Sequence, residues 1–212
     1  MVGLLMAMKP SVTLLSEHIA RCKERGAAVL SNFRHGNSEA SRYVSTHNAE
    51  QNLYVQVHAR MAECAFAIWA GLDPFLTLNW SPDIDAGFDI HFNCRRVDIK
   101  ATGANGRNLI WPIGKRSIWK HKKLKFDDLV LVRGDPPTFV IAGIVTKERF
   151  EREHLIASEE HPLDTGTWYM HEKTLDELPT RNTDRRFLDG LYVASMTKRH
   201  LYEWNRRVSL CP

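Results

Sequence analysis

Residues 87–103 read GFDIHFNCRRVDIKATG, and the alternation within that stretch sets the fold. Phe88, Ile90 and Phe92, then Val97, Ile99 and Ala101, recur with the period of two expected of half-buried strands. Asn93 and Cys94 lie between the runs as a two-residue turn. That turn sets Phe92 against Arg95, His91 against Arg96, Ile90 against Val97 and Asp89 against Asp98. Directly opposed residues share a face. One face therefore carries Phe88, Ile90, Phe92, Val97 and Ile99, the other Asp89, His91, Arg96, Asp98 and Lys100. Two opposed carboxylates repel unless positive charge lies between them. Lys100, Arg96 or a divalent cation would supply it, and Mg²⁺ takes hard oxygen ligands of this kind.

Working outward, residues 11–31 place Leu14, Leu15, Ile19, Cys22 and Val29 at helical spacing, with Ser11 as a cap after Pro10. A polar stretch then leads to Asn48 and Gln51, at capping-box spacing, and to an apolar helix ending near Gly71. That helix holds one interior acid, Glu63. Either it faces inward with a partner, since an unpaired buried acid is costly, or it points to solvent beside Arg60.

On the other side, LVLV at 129–132 and FVIAGIV at 139–145 flank RGDPPT and read as two buried strands joined by a turn, in the middle of a sheet. TWYM at 167–170 reads as a short strand, KTLDEL at 173–178 as a helical turn, and 185–208 as a long helix interrupted at Gly190. Helices before and after a mixed set of strands give an α/β or α+β layered domain.

The chain has 212 residues, 43% of them hydrophobic, which suits one domain with a full core. Lys and Arg number 29 against 25 Asp and Glu, for a net charge of +4. The excess is concentrated in KRSIWKHKKLKF, where Lys115, Arg116, Lys120, Lys122 and Lys123 surround Trp119. Such clustering suits phosphate-backbone binding with an aromatic ring for stacking, although charge runs are more often solvated faces. The four cysteines form no C-x-x-C pair, so reduced thiols are expected. The apolar opening MVGLLMAMKP falls short of the ~20 residues of a membrane span. A soluble, cytoplasmic protein is expected.

Glu63 on a helix, Asp89 on a strand and Asp98-Ile99-Lys100 on the next strand resemble the PD-(D/E)xK nuclease superfamily. The resemblance covers about residues 49–145. It implies a restriction-endonuclease-like core, a central mixed β-sheet flanked by helices, within a single domain over 1–212. Residues 1–48 would add an N-terminal helical part and 146–212 a C-terminal extension. The literal Pro-Asp pair is Pro82-Asp83, and Asp85 shares its parity, but the hairpin register favours Asp89. The resemblance also implies a Mg²⁺-dependent nuclease, with Mn²⁺ able to substitute. Asp89, Asp98, the Ile99 carbonyl and Glu63 would hold the metal, and Lys100 would position the attacking water. DNA is the expected substrate, with RNA also open, and a homodimer fits the family habit. The alternative is a non-catalytic nucleic-acid-binding or protein-interaction domain of the same fold.

Overall fold

The computed structural model describes residues 9–34, 49–80, 88–111, 125–161, 163 and 166–178. The chain folds as a mixed α/β structure around a five-stranded sheet. β2 (Ile90–Phe92) and β3 (Arg95–Thr102) form the hairpin. β3 then pairs in parallel with β5 (Asp128–Asp135), β5 runs antiparallel to β6 (Thr138–Thr146), and β1 (Ser11–Thr13) closes the far edge.

The hairpin has the register that its alternation predicts: Ile90 opposes Val97, His91 opposes Arg96 and Phe92 opposes Arg95. Asn93 and Cys94 both take positive φ, 48° and 61°, as a two-residue turn of the strand-matching hand requires. One expectation fails just before β2. The backbone N–H of Asp89 donates to the Val97 carbonyl at 2.9 Å, so Asp89 and Ile90 both address Val97 in the manner of a β-bulge. The alternation slips there. Phe88 leaves the face of Ile90 and packs into the hydrophobic cluster on the opposite side of the sheet.

Two helices cover one side of the sheet. α1 (Ser16–Arg34) packs beside α2 (Ala49–Trp69), and Met61, Phe66 and Trp69 meet Ile90, Phe92, Val97, Ile99, Val130 and Val132. The sequence places the start of the first helix at Ser11; instead Ser11–Thr13 pair with Phe139 and its neighbours, and the helix begins at Ser16. Three residues are too few for alternation to show, and pairing with β6 overrides the local helical pattern.

The other side is covered by a second, three-stranded sheet. It comprises β4 (Asn108–Trp111), β8 (Trp168–His171) and β7 (Leu155–Ile156). With α3 (Lys147–Glu153), which follows β6, it buries Leu109, Trp111, Phe150 and Met170 against Leu129, Leu131, Ala142 and Val145. β5 is thus buried on both faces, which explains its unbroken apolar run. TWYM forms most of β8, and a 3-10 turn at Glu172–Thr174 stands where KTLDEL predicts a helical turn. The run at 115–124, Asp83, Asp85 and the helix expected at 185–208 lie outside the described residues. Among the described residues no helix is long and apolar enough to cross a membrane. Cys22 and Cys64 are free, whereas Cys94 is disulfide-bonded, which departs from the expectation of reduced thiols throughout.

Phe66 is fully buried, in contact with the rings of Trp69 and Phe92. Phe66→Ala should cost about 3–5 kcal/mol in urea unfolding. Leu76→Ala, at an exposed position, should change stability by less than about 0.5 kcal/mol. Equal effects would contradict this packing.

Candidate active site

β3 sends alternate side chains to opposite faces. Val97 and Ile99 enter the core beneath α2, while Asp98 and Lys100 point the other way and form an ion pair. The Lys100 ammonium also lies 4.8 Å from the centre of the Trp111 ring, a cation–π contact that gives its stem a fixed wall. Lys100 is in register with Leu131 of β5, so its backbone is held by a strand buried on both faces.

The bulge aims Asp89 at the same place. Its carboxylate accepts the Ile99 backbone N–H at 2.6 Å, a charge-assisted bond that ties the start of β2 to the middle of β3. Glu63 reaches the group from α2. It is buried and forms an ion pair with Arg60, one turn earlier on the helix. Neither sequence alternative is complete: Glu63 faces inward, and Arg60 is nonetheless its partner.

These four groups sense one another's charge. Burial pushes the Asp89 carboxyl well above the usual carboxylate range, and Glu63 and Asp98 add to the rise, against the pull of Lys100 and the Ile99 N–H. Burial likewise raises Glu63 to about 7, opposed by Arg60 and Arg25 and reinforced by Asp98. For Lys100 burial acts downward, but Asp98, Asp89 and Glu63 outweigh it and hold the ammonium above its ordinary value. Three acids, Asp89, Asp98 and Glu63, thus stand against three cations, Lys100, Arg60 and Arg25, and burial is the main cause of the raised Asp89 and Glu63 carboxyls.

The donors match a hard divalent cation in kind, being carboxylate oxygens from adjoining strands with a backbone carbonyl beside them. Their present engagements are internal. Lys100 holds Asp98, Arg60 holds Glu63 and the Ile99 N–H holds one oxygen of Asp89. Among the described residues no group of three or more His, Cys, Asp or Glu side chains stands ready to hold a metal ion. The fit therefore rests on the two aspartates as a partial site.

His91 stands apart on the exposed side of the hairpin, edge-on to Phe88 at 4.6 Å, its pKa lowered by burial and by Arg96. Several neighbours of the site carry no local sequence signal. Arg60 and Arg21 lie 5.7 and 5.5 Å from the Trp80 ring. Trp111 arrives from the second sheet, and the buried Cys22 and Cys64 thiols meet at 3.5 Å beside Glu63. The candidate backbone-binding residues Lys115, Arg116, Trp119, Lys120, Lys122 and Lys123 lie outside the described residues.

The raised Glu63 pKa fixes the sign of a pH effect. Between its ordinary value of 4.5 and about 7 the folded chain holds a proton that the unfolded chain releases. Stability in EDTA should therefore fall as pH rises through that window, by up to about 3 kcal/mol from this group. Urea midpoints measured across pH 4.5–7.5 should fall less steeply for Glu63→Gln; identical slopes would contradict the burial of this acid. Comparison with known protein families, with curated proteins and with solved structures gives no match.

Proposed function

We propose that the chain is a metal-dependent nuclease of the PD-(D/E)xK kind, hydrolysing phosphodiester bonds in DNA. The observation that carries this reading is the approach of Asp89, Asp98, Glu63 and Lys100 to one another at the bulged end of one hairpin, near enough for each to act on the others' charge. Asp89, Asp98 and the Ile99 carbonyl would hold Mg²⁺, with Mn²⁺ as a substitute and Glu63 as a supporting acid. When bound, such a cation supplies charge stabilisation at the phosphoryl oxygens and lowers the pKa of water.

The chain's own groups do the rest. Lys100 is kept charged by the surrounding acids and fixed by Trp111. Its ammonium donates a hydrogen bond to the attacking water or to a phosphoryl oxygen, at the point where negative charge grows. Asp98 holds that ammonium in place. The bond from Ile99 N–H orients the Asp89 carboxylate, so two strands present their acids without further rearrangement.

One observation favours a second reading, a non-catalytic nucleic-acid-binding or protein-interaction domain. Each acid already has an internal partner, and no ready metal group is present among the described residues.

Cleavage assays separate the two. Purified protein with supercoiled plasmid or single-stranded DNA should cut in Mg²⁺ or Mn²⁺ and not in EDTA. Asp98→Ala and Lys100→Ala should each lower the rate by at least about 10²-fold while leaving the fold intact by circular dichroism. Cleavage unchanged in both variants would remove the site, and no cleavage of DNA or RNA under any metal would favour the second reading.

A further inference from the structure

Past Lys100, the same face of the sheet carries a second set of cations. Two residues on along β3 is Thr102, and in the parallel register Thr102 stands beside Arg133 of β5. Residues in register share a face, so Arg133 follows Lys100 at a step of about 6.6 Å along the strands. The Arg133 Nε lies 3.1 Å from Glu172, just beyond the end of β8. Arg107 Nε approaches the same carboxylate at 3.5 Å and the Lys9 ammonium at 3.9 Å. Among the described residues, one carboxylate thus faces three cations and neutralises one of them.

The cluster is built rather than incidental. The Glu172 N–H donates to the Arg107 carbonyl at 2.7 Å, which ties the end of β8 to the turn at 103–107. Arg133 donates to the Ala104 carbonyl at 3.3 Å, and the Ala104 N–H donates to Asp135 at 3.2 Å. Gly106 lies flat on Thr102; a Cβ there would collide with the threonine side chain, so only glycine lets the turn sit so low. The other carboxylate nearby, Asp135, is engaged by the Tyr54 hydroxyl at 3.3 Å and stands 3.8 Å from the His58 ring nitrogen. A backbone fixed in this way presents its cations with little ordering left to lose on binding.

We infer that Lys9, Arg107 and Arg133, gathered around Glu172, bind a backbone phosphate of the nucleic-acid strand close to the one addressed by Lys100, on the same face of the sheet. The inference rests on the phosphodiester-cleaving reading for its choice of ligand. Glu172 acts here as a placeholder: it offsets the cations' mutual repulsion and so keeps them together, and it gives way to a more highly charged chain of phosphates.

That role predicts opposite effects from neighbouring substitutions. Binding of a fluorescein-labelled duplex oligonucleotide is followed by anisotropy in EDTA, where no cutting occurs, over a series of KCl concentrations. Arg107→Ala and Lys9→Ala should each weaken binding several-fold and reduce the slope of log K against log salt by about 0.9. Glu172→Gln should tighten binding, because it removes the competing anion. A purely structural cluster gives a different pattern: Glu172→Gln weakens binding or leaves it unchanged, and Arg107→Ala leaves the slope unchanged. That outcome, or a wild type that binds no nucleic acid, overturns the inference. Metal-dependent cleavage measured on the same preparations keeps the two proposals apart. Cleavage with unaltered salt slopes removes this phosphate site and leaves the nuclease, whereas shifted slopes without cleavage do the reverse.

Discussion

β3 is gripped on both sides. It runs antiparallel to β2 through a two-residue turn and parallel to β5 over six registered pairs, from Val97 beside Asp128 to Thr102 beside Arg133. At its entrance Arg95 and Arg96 bind Asp128 and Asp127, each with a bond of 2.7 Å, and that pairing holds the Asp127 carboxyl down near 2. With both edges fixed, the pleat leaves no freedom in where side chains point. Val97 and Ile99 must enter the core beneath α2, and Asp98 and Lys100 must take the other face. A slip of one residue would turn Asp98 and Lys100 into the core beneath α2 and take Val97 and Ile99 out of it, so the hydrophobic core enforces the geometry of the polar site.

The second constraint is electrostatic. The bulge before β2 turns Asp89 toward β3, and α2 brings Glu63 to the same place, so three acids share a small volume with Lys100 and Arg60. Burial makes ionisation of Asp89 and Glu63 costly, and repulsion from neighbouring acids makes it costlier still. Raised carboxyl pKa values in such a group are often found at functional sites. Here one belongs to the hairpin acid Asp89 and the other to the lone acid of α2.

Much of this is legible in the sequence where the signal is local. Alternation on both sides of Asn93-Cys94 is enough for the hairpin register, because a two-residue turn admits one pairing. The continuous apolar runs of β5 and β6 mark buried strands, and the lone acid in α2 marks Glu63. What escapes is set by distant contacts. β1 is three residues long and forms only because β6 offers an open edge. Phe88 crosses to the other face through a bulge that no pattern announces. Trp111 and Glu172 reach Lys100, Arg133 and Arg107 through a sheet whose strands are widely separated in the chain. Arg60 reads as a surface residue until α1 and Trp80 enclose it.

The central proposal is that Asp89 and Asp98 together hold a divalent cation, with which protons on the buried Asp89 and Glu63 carboxyls compete. Isothermal titration of Mn²⁺ into the protein at pH 6, in buffers of different ionisation enthalpy, tests it without relying on any substrate. The account predicts cation binding accompanied by proton release, seen as an apparent enthalpy that varies linearly with that of the buffer, and its loss in Asp98→Ala. No binding, or binding that survives the replacement of Asp89 and Asp98 together, would contradict it.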